Sequence, residues 1–214
     1  MPISAVLFDL DNTIYPASSG MMKGIDTRIT EYVQNLLGLE IEQARELRQQ
    51  YYRTYGTTLH GLQRHHAVDP EHYLNHVHDL AIESFLASDA ELDHLLSELT
   101  ATKAIFTNSP GDYARRVLRV MGIERHFEHI FDIRFSGFRP KPDPLVYQSV
   151  LDALGVAGSE AILVEDSPQN LPPASALGMT TILVGTPSKA DAALADYVTP
   201  DVLAAVRIAL GLMT

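Results

Sequence analysis

The stretch Val6-Leu7-Phe8-Asp9-Leu10-Asp11-Asn12-Thr13 is an apolar run that ends in two carboxylates one residue apart. Ile3 to Phe8 predicts a short strand, and its lack of polar alternation is typical of a strand buried on both faces of a parallel sheet. Asp9 then lies at the carboxyl end of that strand, where open α/β sheets bind their ligands. The alternative is a simple turn rich in capping residues. The rest of the chain decides between the two.

Composition restricts the class of protein and its location. The 214 residues are 46% hydrophobic and 20% charged, which is ordinary for a globular chain with one domain, or a core with an insertion. The apolar runs have the length of strands, well below the roughly 20 residues that a membrane helix needs. No basic region precedes the first apolar run, and Asp9 and Asp11 interrupt it, so a signal peptide is not expected. We therefore expect a cytoplasmic protein with no membrane partner.

The net charge of −11 and the lack of cysteine exclude further classes. A nucleic-acid polymer is an unfavourable partner, because binding its phosphates requires clustered Lys and Arg. Disulfides, thiol nucleophiles and Cys-ligated metals are excluded by the composition. An anionic small substrate would need a local positive group or a metal ion at its binding site. The sequence leaves a monomer and a homodimer both open.

A block with helical periodicity follows the first strand. Apolar residues recur at helical spacing up to Gly38, again over residues 41–55, and near the end of the block over residues 92–99. Another helix is predicted to begin at Asp69-Pro70, since Asp is a favourable cap and Pro fits the first helical position. The block is predicted to contain no strand.

From Ala101 onward the chain alternates strands with helices. Strands are predicted at residues 103–107, 129–133, 161–164 and 180–184, and helices after a Ser109-Pro110 cap, over 143–154, up to Gly178 and over 202–210. Such alternation specifies a parallel sheet with helices on both faces. We therefore predict an α/β core of residues 1–15 and 100–214, with a helical cap of residues 16–99 inserted after the first strand.

Three further polar clusters lie where this sheet would present them beside Asp9. Thr107 follows the second core strand, Lys141 precedes a helix, and Glu165-Asp166 ends another strand. Phosphoryl transfer needs a nucleophile, a cation that bridges oxygens, and donors around the phosphoryl group. A carboxylate can be that nucleophile, and carboxylate oxygens suit Mg²⁺. A single Lys is usually solvated and a single Thr usually caps a helix, but four such clusters in order favour a phosphoryl-transfer site.

On these motifs the sequence resembles the haloacid dehalogenase-like (HAD) superfamily across nearly its whole length. The matching residues are Asp9-Leu10-Asp11-Asn12-Thr13, Thr107-Asn108, Lys141 and Glu165-Asp166. The resemblance implies a Rossmann-like core with a helical cap inserted after the first strand. It also implies hydrolysis of a phosphomonoester through an aspartyl-phosphate intermediate.

The resemblance assigns a role to each matching residue. Asp9 would be the nucleophile and Asp11 the general acid and base. Thr107, Asn108 and Lys141 would hold the phosphoryl oxygens. The Mg²⁺ cofactor would bind to the Asp9 carboxylate, the Asp11 main-chain carbonyl and Asp166, with Glu165 acting through a water.

Two local stretches are similar to the pyrimidine 5′-nucleotidase branch of the superfamily. They are the continuation Ile14-Tyr15-Pro16 and the segment Tyr51-Tyr52-Arg53-Thr54-Tyr55-Gly56-Thr57-Thr58-Leu59-His60-Gly61-Leu62. The resemblance implies a small substrate, a pyrimidine nucleoside 5′-monophosphate, enclosed beneath the cap. Tyr15 near a hinge, Tyr51, Tyr55 and His60 are the candidate specificity residues. For the tyrosines, the alternative is the buried aromatic face of one helix.

Several other functions share the motifs. A sugar-phosphate or phosphoglycolate phosphatase and a phosphomutase would keep all four. A haloacid dehalogenase would also use an aspartate nucleophile, but Asp11 argues against it because a leaving halide needs no proton donor. A catalytically silent binding protein is disfavoured by the intact Asp9, Asp11, Lys141 and Asp166.

One departure from the family pattern concerns the segment after the fourth motif. Pro172-Pro173 fall where relatives continue a helix after the position of Asn170. Proline inside a helix costs about 3 kcal/mol, so we expect this helix to start later. The placement of Asn170 is left open.

Overall fold

The computed structural model describes residues 2–213, and its centre is a sheet of six parallel strands. The strand order is β3-β2-β1-β4-β5-β6, and each neighbouring pair is parallel. The strands are β1 (Ala5–Phe8), β2 (Thr102–Phe106), β3 (His129–Phe131), β4 (Ala161–Glu165), β5 (Thr180–Val184) and β6 (Tyr197–Thr199). The predicted Rossmann-like α/β fold is confirmed.

The first strand of the chain lies in the middle of this sheet. Ala5 pairs with Thr102 of β2 on one side and with Ala161 of β4 on the other. Alternate side chains point to opposite faces, so Phe8 belongs to one hydrophobic cluster and Leu7 to another. Because helices cover both faces, every residue of β1 is buried. This explains why the strand shows no polar alternation in the sequence.

Helices cover the sheet and form the block between β1 and β2. The helices before β2 are α1 (Met21–Leu37), α2 (Ile41–Tyr55), α3 (Thr58–His66), α4 (Pro70–Val77) and α5 (Ala90–Glu98). The later ones are α6 (Gly111–Val120), α7 (Pro144–Leu154), α8 (Leu171–Ala176), α9 (Lys189–Ala192) and α10 (Val202–Met213). Among the described residues, each helix is too short or too polar to span a bilayer.

Local capping signals in the sequence agree with the structure at two helices. The Asp69 side chain accepts a hydrogen bond from the Glu71 amide at the start of α4, and Pro70 occupies the first turn. Asp143 accepts from the Leu145 amide at the start of α7, which ends at Gly155 in the left-handed conformation. The preferences for Asp and Pro at the start of a helix and for Gly after its end depend on the local backbone. The ends of these two helices can therefore be predicted without knowing how the chain packs.

The predicted Ser109-Pro110 cap is wrong in its chemistry. Helix α6 begins at Gly111 without a side-chain cap from the preceding residue, and the Gly111 amide donates to Asp132 Oδ2 at 2.8 Å. The Ser109 hydroxyl instead donates to Asp11. The start of α6 is thus capped by Asp132, which follows β3, and the Ser109 side chain is free to bond Asp11 at the edge of the sheet.

Two short elements and one proline pair also differ from expectation. Strand β6 and helix α9 are not predicted, because an exposed edge strand of three residues and a four-residue helix carry no periodic signal. Helix α8 begins at Leu171, directly after a 3₁₀ turn that ends at Asn170. Its two prolines lie in the first turn, where a helix does not use the backbone N–H, so they do not delay its start.

The helices of the block do not all pack in the same place. Helices α1 to α4 enclose a hydrophobic cluster around Val33, Leu62 and Leu74, which also includes Ile133 from the loop after β3. Helix α5 packs against α10, and its Leu92 belongs to the cluster on one face of the sheet. We use the term cap for α1 to α4. The cap division at residues 16–99 stays a prediction.

Candidate active site

The predicted site residues meet at the carboxyl edge of the central strands. Asp9 follows β1 and remains hydrogen-bonded to β4 through its amide and the Val164 carbonyl, at 2.9 Å. Thr107 follows β2, its hydroxyl accepts the Ser109 amide at 3.0 Å, and Glu165 ends β4. Parallel strands end at the same edge, so residues far apart in sequence become neighbours here.

Lys141 joins these strand ends. Its Nζ lies 2.7 Å from Asp9 Oδ1, 2.7 Å from Glu165 Oε2 and 2.8 Å from the Phe106 carbonyl. The lysine is only 1% exposed. Burial alone would lower the pKa of Lys141, but its ion pairs with Asp9 and Glu165 hold that pKa above its usual value. Lys141 is therefore a cation at the site.

Asn108 fixes the loop that carries Lys141. The Asn108 side-chain amide donates to the Lys141 carbonyl at 3.2 Å, and the Lys141 amide donates to Asn108 Oδ1 at 2.8 Å. Both polar atoms of the Asn108 side chain are thereby bonded to the backbone of one residue, Lys141. The Lys141 position is thus set by the end of β2, thirty-three residues earlier in the chain.

Asp11 accepts hydrogen bonds from three hydroxyl groups. Tyr15 and Tyr113 both donate to its Oδ1, the latter at 3.0 Å, and Ser109 donates to its Oδ2. Burial raises the pKa of both phenols, and the Asp11 charge raises them further, so each remains a hydrogen-bond donor. The Asp11 carboxyl is therefore held in one orientation at the site.

Three carboxylates at this edge could share a cation. One oxygen each of Asp9, Glu165 and Asp166 lies within 4.8 Å of the others. Burial, and then the Glu165 charge, raise the pKa of Asp9 to about 7, although Lys141 opposes the shift. Burial, followed by the charges of Asp9 and Glu165, raises the pKa of Asp166 to about 9. The cluster has more negative charge than Lys141 compensates, and hard oxygen ligands of this kind fit Mg²⁺.

Glu165 already has protein partners on both oxygens. Its Oε2 pairs with Lys141, and its Oε1 accepts the Ser167 amide at 3.1 Å. The carboxylates best placed to bind a cation directly are thus Asp9 and Asp166. This arrangement is compatible with the predicted contact of Glu165 through a water, which stays a prediction.

A cavity of about 400 Å³ lies above these groups and beneath the cap. Its floor contains Asp9, Asp11, Thr107, Asn108, Lys141, Glu165, Asp166 and Asn170. Its cap side contains Met22, Ile25, Asp26, Ile29, Arg48, Tyr52, Tyr73 and His78. Two contacts join cap to core beside it: Tyr52 Oη accepts from Gln169 at 3.0 Å, and Glu71 forms a bidentate pair with Arg134.

None of the four candidate specificity residues is among the described residues that line this cavity. The Tyr51 ring stacks on the His65 ring, and the Tyr51 hydroxyl is hydrogen-bonded to His66 Nε2, on the side of α2 away from the cavity. Tyr55 and His60 line a separate groove between the cap and the Lys141 loop. Tyr15 contacts Asp11. The cavity wall contains Tyr52 and Tyr73 in place of the nominated tyrosines, and a role for the four candidates in selecting substrate stays a prediction.

Sequence reasoning did not identify Ser109, Tyr113 or Arg48 as site residues. Ser109 lies two residues before α6 and Tyr113 lies in its first turn, and the hydroxyls of both donate to Asp11. Nothing in the sequence distinguishes Arg48 from other arginines of α2. Its position becomes clear only when the cap packs over the sheet.

A sequence model of haloacid dehalogenase-like hydrolases matches residues 3–178 of the chain. The chain is 26% identical over 191 residues to phosphate metabolism protein 8 of Saccharomyces cerevisiae, and this match covers 82% of the chain and 60% of the yeast protein. It is 26% identical over 204 residues to a phosphoglycolate phosphatase of Rhodospirillum rubrum, which covers 84% and 78% of the two chains.

The solved structures with similar folds include a HAD phosphatase from Thermococcus onnurineus. The TM-score is 0.65, the identity is 23%, and the match covers 98% of both chains. At this identity the likeness shows the shared fold of sheet and helices.

Proposed function

We propose that this chain, which belongs to the haloacid dehalogenase-like hydrolase family, is a Mg²⁺-dependent phosphatase of small phosphorylated metabolites. The observation that carries the proposal is the contact of Lys141 with Asp9 and Glu165 at 2.7 Å, beside an Asp11 held by three hydroxyls. It supports Asp9 as the nucleophile, Lys141 as the cation and Asp11 as the proton donor at one end of the cavity. The relative named as a phosphoglycolate phosphatase supports phosphomonoester hydrolysis.

In the first step of the proposed reaction, an Asp9 oxygen attacks phosphorus and forms an aspartyl-phosphate. The bond between phosphorus and the substrate oxygen breaks, its electron pair stays on that oxygen, and Asp11 supplies the proton that makes it an alcohol. Lys141, the Thr107 hydroxyl and Asn108 hold the phosphoryl oxygens. A Mg²⁺ ion bound to Asp9, the Asp11 carbonyl and Asp166, with Glu165 through a water, would offset the charge of the phosphoryl group.

In the second step, a water molecule attacks the phosphorus of the aspartyl-phosphate. Asp11 accepts the proton of that water, the phosphorus–Asp9 bond breaks, and inorganic phosphate leaves with Asp9 restored. The hydroxyls of Tyr15, Ser109 and Tyr113 keep Asp11 at the cavity through both steps. A haloacid dehalogenase releases a halide and needs no proton donor. An Asp11 held at the cavity by three hydroxyls therefore favours the phosphatase.

We propose a pyrimidine nucleoside 5′-monophosphate as the substrate. The closed cap and a cavity of about 400 Å³ suit a small molecule, and Tyr52 and Tyr73 offer flat walls for a base. Sugar phosphates and phosphoglycolate are the competing substrates, and a phosphomutase would act on a sugar phosphate without releasing phosphate.

Hydrolysis of p-nitrophenyl phosphate, with EDTA and after addition of Mg²⁺, tests the reaction. We expect EDTA to silence the enzyme and Mg²⁺ to restore it. Full activity in a metal-free preparation would contradict the metal requirement, and no release of phosphate under any condition would contradict the phosphatase. A panel of uridine 5′-monophosphate, ribose 5-phosphate and phosphoglycolate, compared by kcat/KM, then tests the substrate.

A further inference from the structure

Arg48 of α2 lines the cavity and has a hydrogen-bond donor without an acceptor among the described residues. Its Nη1 donates to Asp26 Oδ1 at 2.7 Å. Its Nε is buried and has no hydrogen-bond partner among residues 2–213. The Arg48 side chain is only 15% exposed, and its ion pair with Asp26 holds it in place.

The unpaired donor belongs to a planar fork. In a guanidinium group, Nε–H and one Nη–H point in the same direction, and together they bind an oxygen acceptor in the plane. Asp26 accepts from Nη1, so the Nε–H of this cavity-lining arginine is left without a protein acceptor among residues 2–213. A buried donor without an acceptor destabilises a protein, and a ligand that supplies the acceptor removes that penalty.

The charge of the cavity favours a neutral acceptor over an anion. Among the described residues that line it, the carboxylates are Asp9, Asp11, Asp26, Glu165 and Asp166, and the cations are Arg48 and Lys141. The guanidinium charge is already paired with Asp26, and the phosphoryl group itself brings further negative charge. A second anionic group would add repulsion, whereas a carbonyl oxygen would not.

The walls beside Arg48 suit a flat ring. Met22, Ile25 and Ile29 of α1 provide an apolar surface, and the rings of Tyr52 and Tyr73 line the same cavity. Tyr73 is 4% exposed and its ring packs edge-on against Tyr32, so it is a fixed wall. A ring carbonyl between such walls meets the planar fork in a suitable geometry.

We propose that Arg48 determines substrate specificity by donating from Nε and Nη2 to a carbonyl oxygen of a pyrimidine base, with the phosphoryl group of the same substrate at Asp9. This assignment rests on the proposed nucleotide phosphatase activity. It places recognition of the base on α2 of the cap and the chemistry on the sheet edge.

Three variants compared on two substrates test this assignment. Arg48→Met removes the fork, and Arg48→Lys keeps a charge beside Asp26 but lacks the Nε–H. Arg45→Met is the matched control, since Arg45 is on the same helix, points to solvent and pairs with Glu42. The substrates are uridine 5′-monophosphate and ribose 5-phosphate, which has the same phosphoryl group and sugar but no base.

We expect both Arg48 variants to lose about 10- to 100-fold in kcat/KM on uridine 5′-monophosphate, mainly through KM, as for a hydrogen bond from a charged donor. On ribose 5-phosphate they should stay within about threefold of the wild type, and Arg45→Met should match the wild type on both. Uridine as a competitive inhibitor should show the same loss in the Arg48 variants.

Several results would overturn the assignment. Equal losses on both substrates would show a structural role only, and unchanged kinetics on uridine 5′-monophosphate would show no role. With phosphoglycolate as an additional substrate, a loss confined to it would show that Arg48 binds a carboxylate. A wild type with no preference for uridine 5′-monophosphate over ribose 5-phosphate overturns the nucleotide substrate and Arg48 together, whereas the other results leave the phosphatase and its substrate in place.

Discussion

The sheet edge and the cap differ in how their charged groups are paired. At the sheet edge, Lys141 makes contacts of 2.7 to 2.8 Å with two carboxylates and a carbonyl, and the Asp11 carboxyl accepts three hydroxyls. In the cap, Arg48 pairs with Asp26, while its buried Nε has no acceptor among residues 2–213. We therefore expect the protein itself to fix the reacting groups, and the ligand to complete recognition. Variants at the sheet edge should change turnover of every substrate, and variants in the cap should change the choice among substrates.

The largest effect is expected at the nucleophile. Asp9→Asn is nearly isosteric but cannot attack phosphorus, so turnover of every substrate should fall by at least about 10³-fold with the fold intact. Stopped assays with p-nitrophenyl phosphate measure the loss, and thermal unfolding checks the fold. Asp152→Asn on the exposed face of α7 is the control. Turnover within tenfold of the wild type would rule out Asp9 as the nucleophile.

Lys141 should matter for stability as well as turnover. Lys141→Met leaves Asp9 and Glu165 buried without their cation, and losing one partner of such a pair costs about 3–5 kcal/mol. Lys103→Met is the matched control, because the Lys103 amine donates to the Leu99 and Ala101 carbonyls and pairs with no carboxylate among residues 2–213. Urea unfolding in EDTA should show the larger loss for Lys141. Equal losses would mean that burial of the lysine stem, and not the ion pairs, stabilises the edge.

A smaller effect is expected at the proposed metal ligand. Asp166→Ala should raise the Mg²⁺ concentration for half-maximal activity by at least about tenfold, since one oxygen ligand is lost. Magnesium titrations of the wild type and the variant measure the shift. The shift should be the same for uridine 5′-monophosphate and ribose 5-phosphate. A shift in the Mg²⁺ requirement with only one of the two substrates would show that Asp166 also takes part in substrate recognition.

The smallest effect is expected for the hydroxyls around Asp11. Tyr113→Phe removes one of three hydrogen bonds, so kcat should fall about 2- to 10-fold on all substrates, with KM little changed. Tyr32→Phe is the counterpart in the cap, where the hydroxyl is bonded to His72, 3.0 Å away. It should leave kcat unchanged. A change in substrate preference for Tyr113→Phe would instead place Asp11 in recognition.

Sequence reasoning succeeded where the determinants are local. Asp143-Pro144 and Gly155 bound α7 at the predicted residues, and the apolar run before Asp9 forms a strand that is buried on both faces. It also grouped Asp9, Thr107, Lys141 and Glu165-Asp166, because strand ends of a parallel sheet meet at one edge.

The parts that sequence reasoning missed depend on distant packing. Ser109 has the sequence context of a helix cap, but its hydroxyl donates to Asp11, ninety-eight residues away. Arg48 differs from Arg45 only by the face of α2 on which it lies, and that face is defined by α1, α3 and the sheet below. Tyr51 and Tyr55 are aromatic in either location, so their residue type does not show which side of α2 faces the cavity.

The central place of β1 has a consequence for synthesis of the chain. Ala5 is made well before its partners Thr102 and Ala161, so β1 is complete long before either neighbour exists. At about 5–20 residues per second, the second neighbour emerges roughly 8–30 seconds later. An apolar strand with two open edges is a binding site for chaperones during that interval, and a chain truncated before residue 161 would keep one edge exposed and be prone to aggregate.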